Sequence, residues 1–162
     1  MKSAILKNYY ADTWEEFYKQ KLSAEREQSF MRAAKHLNTS YVAILRRPGG
    51  LHDSTLISFN MQVEQVGATK GESQTIVNLD LLDANTQAPL RLSYYSIKQF
   101  EFRILKGKTI ESVPVPSNKK PVGQVLFNWF SERGCWLEHL MVMNDYRYLY
   151  IVARRAEALT KA

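Results

Sequence analysis

Two histidines in the sequence stand next to a carboxylate, which is the pairing that general acid–base catalysis uses. His52 precedes Asp53 between a Gly-Gly turn and a predicted strand, and Glu138 precedes His139 in a later strand. Neighbouring side chains on an extended chain point to opposite faces, so we expect neither histidine to contact its adjacent carboxylate. The simpler interpretation of the first pair is that Asp53 caps the turn and His52 forms a local hydrogen bond.

The alternation around His139 is that of a strand. It places His139 on the same face as Leu137, Met141 and Met143, a setting that favours a hydrogen-bonded core histidine over a catalyst. The third histidine, His36, falls at the end of a predicted helix. We therefore predict no catalytic residue, and we retain three residues as a candidate polar site: His52, Asp53 and His139.

The sequence lacks the patterns of several common chemistries. It contains no Gly-rich phosphate loop, no Gly-x-Ser-x-Gly elbow and no His-Glu-x-x-His helix. Cys135 is the only cysteine, and together with three histidines it provides too few ligands for a structural zinc site. We expect no metal and no cofactor, and an enzyme ranks third among the functions considered.

The net charge of +6 comes from one part of the chain. Residues 1–90 hold ten Lys/Arg and ten Asp/Glu, whereas residues 91–162 hold twelve and six. Such an asymmetry favours an acidic partner, either an acidic-surfaced protein or a nucleic acid. The basic residues that we predict to contact this partner are Arg46, Arg47, Arg103, Lys106, Lys108, Lys119, Lys120 and Arg154.

A nucleic-acid partner would also need rings on which bases stack between the basic residues. Five tyrosines of the sequence are candidates for this role: Tyr94, Tyr95, Tyr146, Tyr148 and Tyr150. No RNA-binding motif, helix-turn-helix or zinc finger accompanies them. Nucleic-acid binding is therefore the second interpretation, after binding of a protein partner.

The elements that would position these residues begin with a helical region. Thr13 and Glu16 match a capping box, and a second start signal occurs at Ser23. Three aromatic residues follow the first signal at the spacing of one helix face: Trp14, Phe17 and Tyr18. We predict two helices, or one kinked helix, between residues 13 and 37, ended by the Asn-Thr-Ser at 38–40.

From residue 41 onward the apolar residues alternate with a period of two, beginning with a short apolar run at 41–45. The connections between the later runs are short and polar, which excludes parallel pairing because a parallel crossover needs a dozen or more residues. We predict an α+β fold in one domain over residues 1–162, with the helices packed on a mostly antiparallel sheet. About seven strands are expected, near 57–63, 77–81, 90–94, 100–104, 125–129, 136–143 and 147–155, the last two as a hairpin.

The N-terminus carries Lys7 where a signal peptide needs an unbroken apolar run. Nowhere do 18 consecutive apolar residues occur, so no transmembrane helix is predicted. We expect a cytoplasmic protein with no membrane partner.

Three short segments resemble a known class of protein. Leu51-His52-Asp53-Ser54 opens the predicted sheet, and Trp136-Leu137-Glu138-His139 and Leu149-Tyr150-Ile151 lie near its end. Over residues 50–155 the chain resembles small bacterial immunity-type proteins of polymorphic toxin systems. The resemblance implies a non-enzymatic protein that binds and blocks one toxin, and it assigns no catalytic residue. The basic surplus departs from immunity proteins that neutralise basic nucleases with acidic faces, so the expected partner has an acidic surface.

Overall fold

An antiparallel sheet makes up most of the structure, with helices packed against it. The structure is a computed structural model that describes residues 22–67, 71–106, 109–112 and 120–160. Within these residues there are two α-helices, one 3-10 helix and nine β-strands. The predicted α+β class, with N-terminal helices and an antiparallel sheet, is confirmed. The predicted capping box at Thr13 and the aromatic helix face beside it lie outside the described residues.

Two helices precede the sheet. Helix α1 spans Leu22–Ala33 and helix α2 spans Thr39–Arg46, with a 3-10 helix at Ala34–His36 between them. The start of α1 agrees with the second start signal of the sequence, at Ser23. Helix α1 packs on the strand that contains Phe130. In this contact the hydroxyl of the buried Ser29 donates to the Phe130 backbone carbonyl at 2.7 Å.

The run at 41–45 is helical, which corrects the extended segment that the sequence predicted. Asn38 caps α2, since its side-chain Oδ1 accepts a hydrogen bond from the backbone N–H of Tyr41 at 2.9 Å. Tyr41 and Ile44 then lie one helical turn apart, and both are buried. The same Oδ1 accepts from the backbone N–H of Ala158 at 3.0 Å, which ties α2 to the last strand. The residues expected to end the helical region therefore begin a second helix.

The strands form one sheet in which every pair of neighbours is antiparallel, in the order β5-β4-β8-β7-β6-β1-β2-β3-β9. The predicted hairpin is confirmed as β7 and β8, and a further strand, β9, follows it and pairs with β3. The strand bounds are β1 Thr55–Gln65, β2 Ser73–Leu82, β3 Pro89–Tyr95, β4 Gln99–Lys106, β5 Thr109–Ser112, β6 Gly123–Arg133, β7 Trp136–Met143, β8 Arg147–Ala153 and β9 Arg155–Thr160.

The sheet folds over on itself so that its two halves share one core. Strands β6 and β1 pair only at Thr55 and Leu56 of β1, and the sheet turns there. Phe59 of β1 contacts Phe100 and Phe102 of β4, with ring centroids 5.5 and 5.1 Å apart. In a flat sheet these strands, with three others between them, would lie roughly 19 Å apart. The folded sheet is what brings side chains of distant strands together.

A bulge in β6 divides its large side chains between two buried clusters. The register of β6 against β7 shifts between Val125 and Phe127. Val125 consequently enters the core between the two halves, whereas Phe127 and Trp129 lie in a second buried cluster with Leu140 and Tyr150. The sequence predicted an uninterrupted alternation over these residues, and the bulge breaks it.

The alternation along β1 correctly predicts a strand but not its burial. Phe59 is partly buried, whereas Ile57, Met61 and Val63 are exposed. Among the described residues, β6 pairs with β1 only as far as Leu56. The rest of β1 extends past this neighbour, so its apolar residues are less covered than the alternation indicated.

The turn between β6 and β7 requires a residue in the left-handed region. Gly134 has a φ of +62°, and a Cβ added there would meet nothing within 4 Å. We expect Gly134→Ala to lower the free energy of unfolding by about 1 kcal/mol, all of it from backbone strain. Gly134→Asn should lose less, because Asn tolerates this conformation. Urea unfolding of the two variants measures the difference, and equal losses would contradict the backbone explanation.

Candidate functional site

A cleft of about 540 Å³ opens between the helices, the turn after α2 and strand β6. Among the described residues, Glu27 is the only acidic side chain that lines it. The same described residues contribute four basic side chains: Arg26, Arg46, Arg47 and His52. The remaining wall is mostly apolar and aromatic, with Phe30, Leu45, Leu51, Leu126, Phe127 and Phe130. We call this site the arginine cleft.

The arginine cleft brings together three residues that the sequence singled out separately. Arg46 and Arg47 end α2 and begin the following turn, and His52 lies at the end of that turn. The sequence placed the arginines in a partner-binding set and His52 in a polar site. The fold makes them parts of one concave surface because the turn curves back against β6.

The other predicted partner-binding residues lie away from this cleft. Arg103 is exposed on β4, and Lys120 is exposed just before β6. Arg154 is exposed between β8 and β9, with its guanidinium 4.1 Å from the centre of the Trp136 ring. Lys106 belongs to β4, but its side chain and the residues Lys108 and Lys119 lie outside the described part of the structure.

Helix α1 adds a basic residue that the sequence prediction missed. Arg26 stands one helical turn before Phe30, so both side chains reach the cleft. The Nη2 of Arg26 donates to the backbone carbonyl of Asn128 at 2.8 Å, and its guanidinium lies 4.6 Å from the centre of the Phe127 ring. The spacing of four residues between Arg26 and Phe30 was the signal in the sequence.

Arg47 stabilises the turn on which the cleft is built. Its Nη2 donates to the Asp83 carboxylate, and its Nε and Nη2 donate to the Gly50 carbonyl at 3.4 and 3.3 Å. Burial by itself would raise the pKa of Asp83. Hydrogen bonds from the Thr86 hydroxyl, from Arg47 and from the Asn85 backbone N–H outweigh this effect and lower the pKa. Asp83 is therefore charged at neutral pH and holds Arg47 in place.

Arg46 is an exposed arginine of the cleft. Half of its side chain is exposed, and the nearest carboxylate, that of Glu27, lies 3.9 Å away. Its guanidinium stands 5.3 Å from the centre of the Phe30 ring. At that distance from an exposed carboxylate the attraction is weak. Arg46 is thus placed to meet a negatively charged group from outside the protein.

His52 and Asp53 are in direct contact, which corrects the expectation that they point apart. The Nδ1 of His52 lies 3.0 Å from the Asp53 carboxylate. Asp53 has a φ of +64°, so the two residues form a turn rather than an extended segment. Its backbone N–H donates to the carbonyl of Val125 at 2.8 Å, which fixes the turn against β6. The pair lies at the exposed rim of the arginine cleft.

His139 lies in the core and not with His52. The buried side chains of four residues form a continuous hydrogen-bond chain, which we call the buried chain: Tyr41, Tyr94, His139 and Asn128. The two tyrosine hydroxyls are 2.6 Å apart, and the Tyr94 hydroxyl lies 2.7 Å from the Nδ1 of His139. The Nε2 of His139 lies 2.9 Å from the Oδ1 of Asn128. The ring of Phe130 stacks on the imidazole with centroids 4.0 Å apart.

The donors and acceptors of the buried chain follow from its chemistry. Burial lowers the pKa of His139 to about 3, so the imidazole is neutral at neutral pH. Burial also raises the pKa of Tyr41 and of Tyr94, which keeps both phenols protonated. The Nε2–H of His139 donates to the Asn128 Oδ1, so its Nδ1 accepts from the Tyr94 hydroxyl. Tyr94 in turn accepts from Tyr41.

Asn128 connects the buried chain to the arginine cleft. It is one of the residues that line the cleft, although it is only 7% exposed. His139 donates to its Oδ1, and Arg26 donates to its backbone carbonyl. Within the described part of the chain its side-chain Nδ2 has no hydrogen-bond partner. The sequence prediction missed this residue, and its signal was a polar side chain between Phe127 and Trp129.

Most of the tyrosines expected to stack on bases are not accessible. Tyr94, Tyr148 and Tyr150 are buried, which corrects the predicted stacking surface. Tyr146 is exposed, and Tyr95 is half-buried with the guanidinium of Arg155 4.0 Å from its ring centre. A base could therefore reach at most two of the five predicted rings.

Neither a metal site nor a membrane helix is found in the described residues. No group of three or more His, Cys, Asp or Glu side chains there is placed to hold a metal ion. None of the helices described is both long and apolar enough to cross a membrane. The chain matches no protein-family model, no curated protein and no solved structure.

Proposed function

We propose that the protein is a non-enzymatic binding protein that holds an acidic protein partner in the arginine cleft. The observation that carries this proposal is the meeting of Arg26, Arg46 and His52 around one concave surface with aromatic walls. Arginine and aromatic side chains often dominate the binding energy of protein interfaces. The guanidinium group also binds carboxylates through two parallel hydrogen bonds, which suits a partner rich in Asp and Glu.

Within this class we propose the activity of an immunity protein, which blocks one toxin by covering part of its surface. The support is the resemblance carried by residues 51–54, 136–139 and 149–151. Leu51 and His52, from the first of these segments, line the arginine cleft. One of the three segments on which the resemblance rests thus contributes to the proposed binding surface.

An enzyme has less support, because the titratable groups near the cleft lack a catalytic arrangement. Both ring nitrogens of His139 are hydrogen-bonded within the protein, at 2.7 and 2.9 Å. A pKa of about 3 keeps this imidazole neutral near neutral pH and makes it too weak a base to take up a proton from a substrate. His52 and Asp53 are exposed at the rim, where water competes with any substrate for their contacts.

Nucleic acid is the alternative partner, and one observation favours it. Arg154 and Arg155 lie over the rings of Trp136 and Tyr95, so cations and aromatic side chains do alternate at one end of the sheet. The same cations cover faces of the rings on which bases would stack. Binding through phosphate contacts should weaken on the order of 10³-fold between about 50 and 200 mM salt.

Charge reversal at Arg46 tests the protein-binding proposal. We expect Arg46→Glu to weaken the binding of a labelled peptide that alternates Glu with Phe by about tenfold or more, because one charge-assisted contact is lost and a repulsion is added. Fluorescence anisotropy of the peptide at low salt gives the dissociation constants. The matched control is Arg103→Glu, which makes the same change of net charge on β4, away from the cleft.

The control separates a defined cleft from a diffuse basic surface. Equal losses for Arg46→Glu and Arg103→Glu would contradict binding in the arginine cleft. A single-stranded oligonucleotide that binds more tightly than the peptide, with the steep salt dependence given above, would replace the protein partner by nucleic acid.

A further inference from the structure

We propose that the side-chain amide of Asn128 is a carboxylate-binding position inside the arginine cleft, and that His139 and Tyr94 are positioning residues that aim it. The inference rests on the proposed function for the identity of the partner. It adds the chemical group that the cleft recognises, which is the carboxylate of an acidic side chain or of a chain terminus.

The side chain of Asn128 has an unused hydrogen-bond donor. The residue is buried, with 7% of its surface exposed, and its Oδ1 accepts from the Nε2 of His139 at 2.9 Å. In the described structure its Nδ2 donates to no protein group. Buried amide N–H groups are almost always hydrogen-bonded, because a buried donor without a partner costs free energy. An unused donor on the wall of a cleft therefore points to an acceptor that comes from outside.

His139 fixes the orientation of the Asn128 amide. The Oδ1 of Asn128 can only accept, so the one N–H of the neutral imidazole lies on the Nε2 that faces it, and the Nδ1 accepts from the Tyr94 hydroxyl at 2.7 Å. The Tyr94 hydroxyl is held in turn by Tyr41 at 2.6 Å. The stacked ring of Phe130 restricts rotation of the imidazole. The amide oxygen is thus held toward His139, and the two N–H groups point away from that ring.

Positive charge lies beside Asn128. The Nη2 of Arg26 lies 2.8 Å from the backbone carbonyl of Asn128, so a guanidinium and an amide are adjacent on the same wall. Arg46 lines the same cleft with half of its side chain exposed. An amide and two guanidinium groups thus belong to residues that line one cleft, a set of donors that suits an anionic acceptor.

A carboxylate fits this space better than a phosphate. Its two oxygens lie in one plane and can accept from an amide on one side and a guanidinium on the other. It carries a single negative charge, and the cleft already contains Glu27 and the C-terminal end of α2, where the helix dipole disfavours a larger one. The wall formed by Phe30, Phe127 and Phe130 would contact the apolar part of the ligand.

The test uses the full 162-residue protein, labelled with ¹⁵N. The probes are 3-phenylpropionate, a carboxylate attached to a ring, and the acidic peptide described above. Both should shift the side-chain amide resonances of Asn128 and the Nε–H resonance of Arg26 in a saturable way. The matched control is 3-phenylpropanol, which has the same ring and chain without a carboxylate and should shift neither.

The outcomes separate this inference from the proposed function. If the peptide shifts Arg46 and His52 but not Asn128, the carboxylate position is wrong and the protein-binding function stands. If 3-phenylpropionate binds and the peptide does not, the position takes a free small carboxylate and the protein partner is wrong. A tighter response to inorganic phosphate overturns the choice of a carboxylate, and no response of the cleft to any probe overturns both proposals.

Variants test the positioning role. Asn128→Leu, of similar volume, should weaken binding of 3-phenylpropionate by about tenfold, the loss of one hydrogen bond to a charged group. His139→Leu should weaken it similarly, while His139→Gln, which keeps a donor toward Asn128, should restore most of the affinity. A purely structural role predicts losses that follow the melting temperatures of the two His139 variants, and that result would overturn the positioning role. If Asn128→Leu does not fold, the titration of the wild-type protein decides.

Discussion

Lowering the pH from 6.5 to 4 is expected to reduce the free energy of unfolding by about 3 kcal/mol through His139 alone. The pKa of this buried imidazole is about 3, against 6.5 for an ordinary histidine. Between the two values the unfolded chain takes up a proton that the folded protein does not. The stabilising contribution is therefore complete above pH 6.5 and is lost as the pH falls toward 3.

The physical reason is that the folded site cannot accommodate the imidazolium. Protonation would place a hydrogen on the Nδ1 of His139, which already accepts from Tyr94. Burial raises the pKa of Tyr94, so this phenol does not give up its proton in exchange. Urea unfolding at a series of pH values between 7 and 4 measures the loss.

The comparison with His139→Gln isolates this one group. Glutamine does not titrate, but it can donate to Asn128, so the stability of this variant should depend much less on pH over the same range. His52→Gln is the control, because His52 has a side chain 41% exposed and lies outside the core. A curve for His139→Gln as steep as that of the wild type would show that the acid sensitivity comes from elsewhere.

The fold could be predicted where the chain gives a local signal. The alternation in 136–143 and 147–155, with a short polar turn between them, predicted the observed hairpin of β7 and β8. The run at 41–45 was ambiguous, because five apolar residues fit a strand or a helix equally well. Its helical state depends on Asn38, whose side chain also binds Ala158, 120 residues away. Contacts at that sequence distance leave no pattern in a short window.

The site could be predicted only in part, for a similar reason. Arg46 and Arg47 were visible as a basic pair before a turn, and they do line the cleft with His52. Nothing local relates them to Arg26 and Asn128, which reach the same cleft from α1 and β6. Only the packing of these elements makes the five residues neighbours. Charge clusters in a sequence therefore identify residues of a surface more readily than the surface itself.

Arg47 and Asp83 form an ion pair beneath the turn that follows α2. We expect Arg47→Leu to lower the free energy of unfolding by about 3 kcal/mol, because it leaves the Asp83 carboxylate buried without its cation. The side chain of Asp83 is only 5% exposed, and that of Arg47 is 23% exposed. Water can therefore replace the guanidinium only poorly. Urea unfolding at neutral pH measures the loss.

The ion pair of Arg91 with Asp80 provides the matched control. Its Nε–Oδ1 distance is 2.7 Å, but the two side chains are 38% and 31% exposed, so we expect Arg91→Leu to cost less than about 1 kcal/mol. The pKa of Asp83 is lowered in the fold, so its contribution is present at neutral pH and is lost as the pH falls through that lowered value. The difference between wild type and Arg47→Leu should consequently shrink in strong acid. Equal losses for Arg47→Leu and Arg91→Leu at neutral pH would contradict this account, because burial is what distinguishes the two pairs.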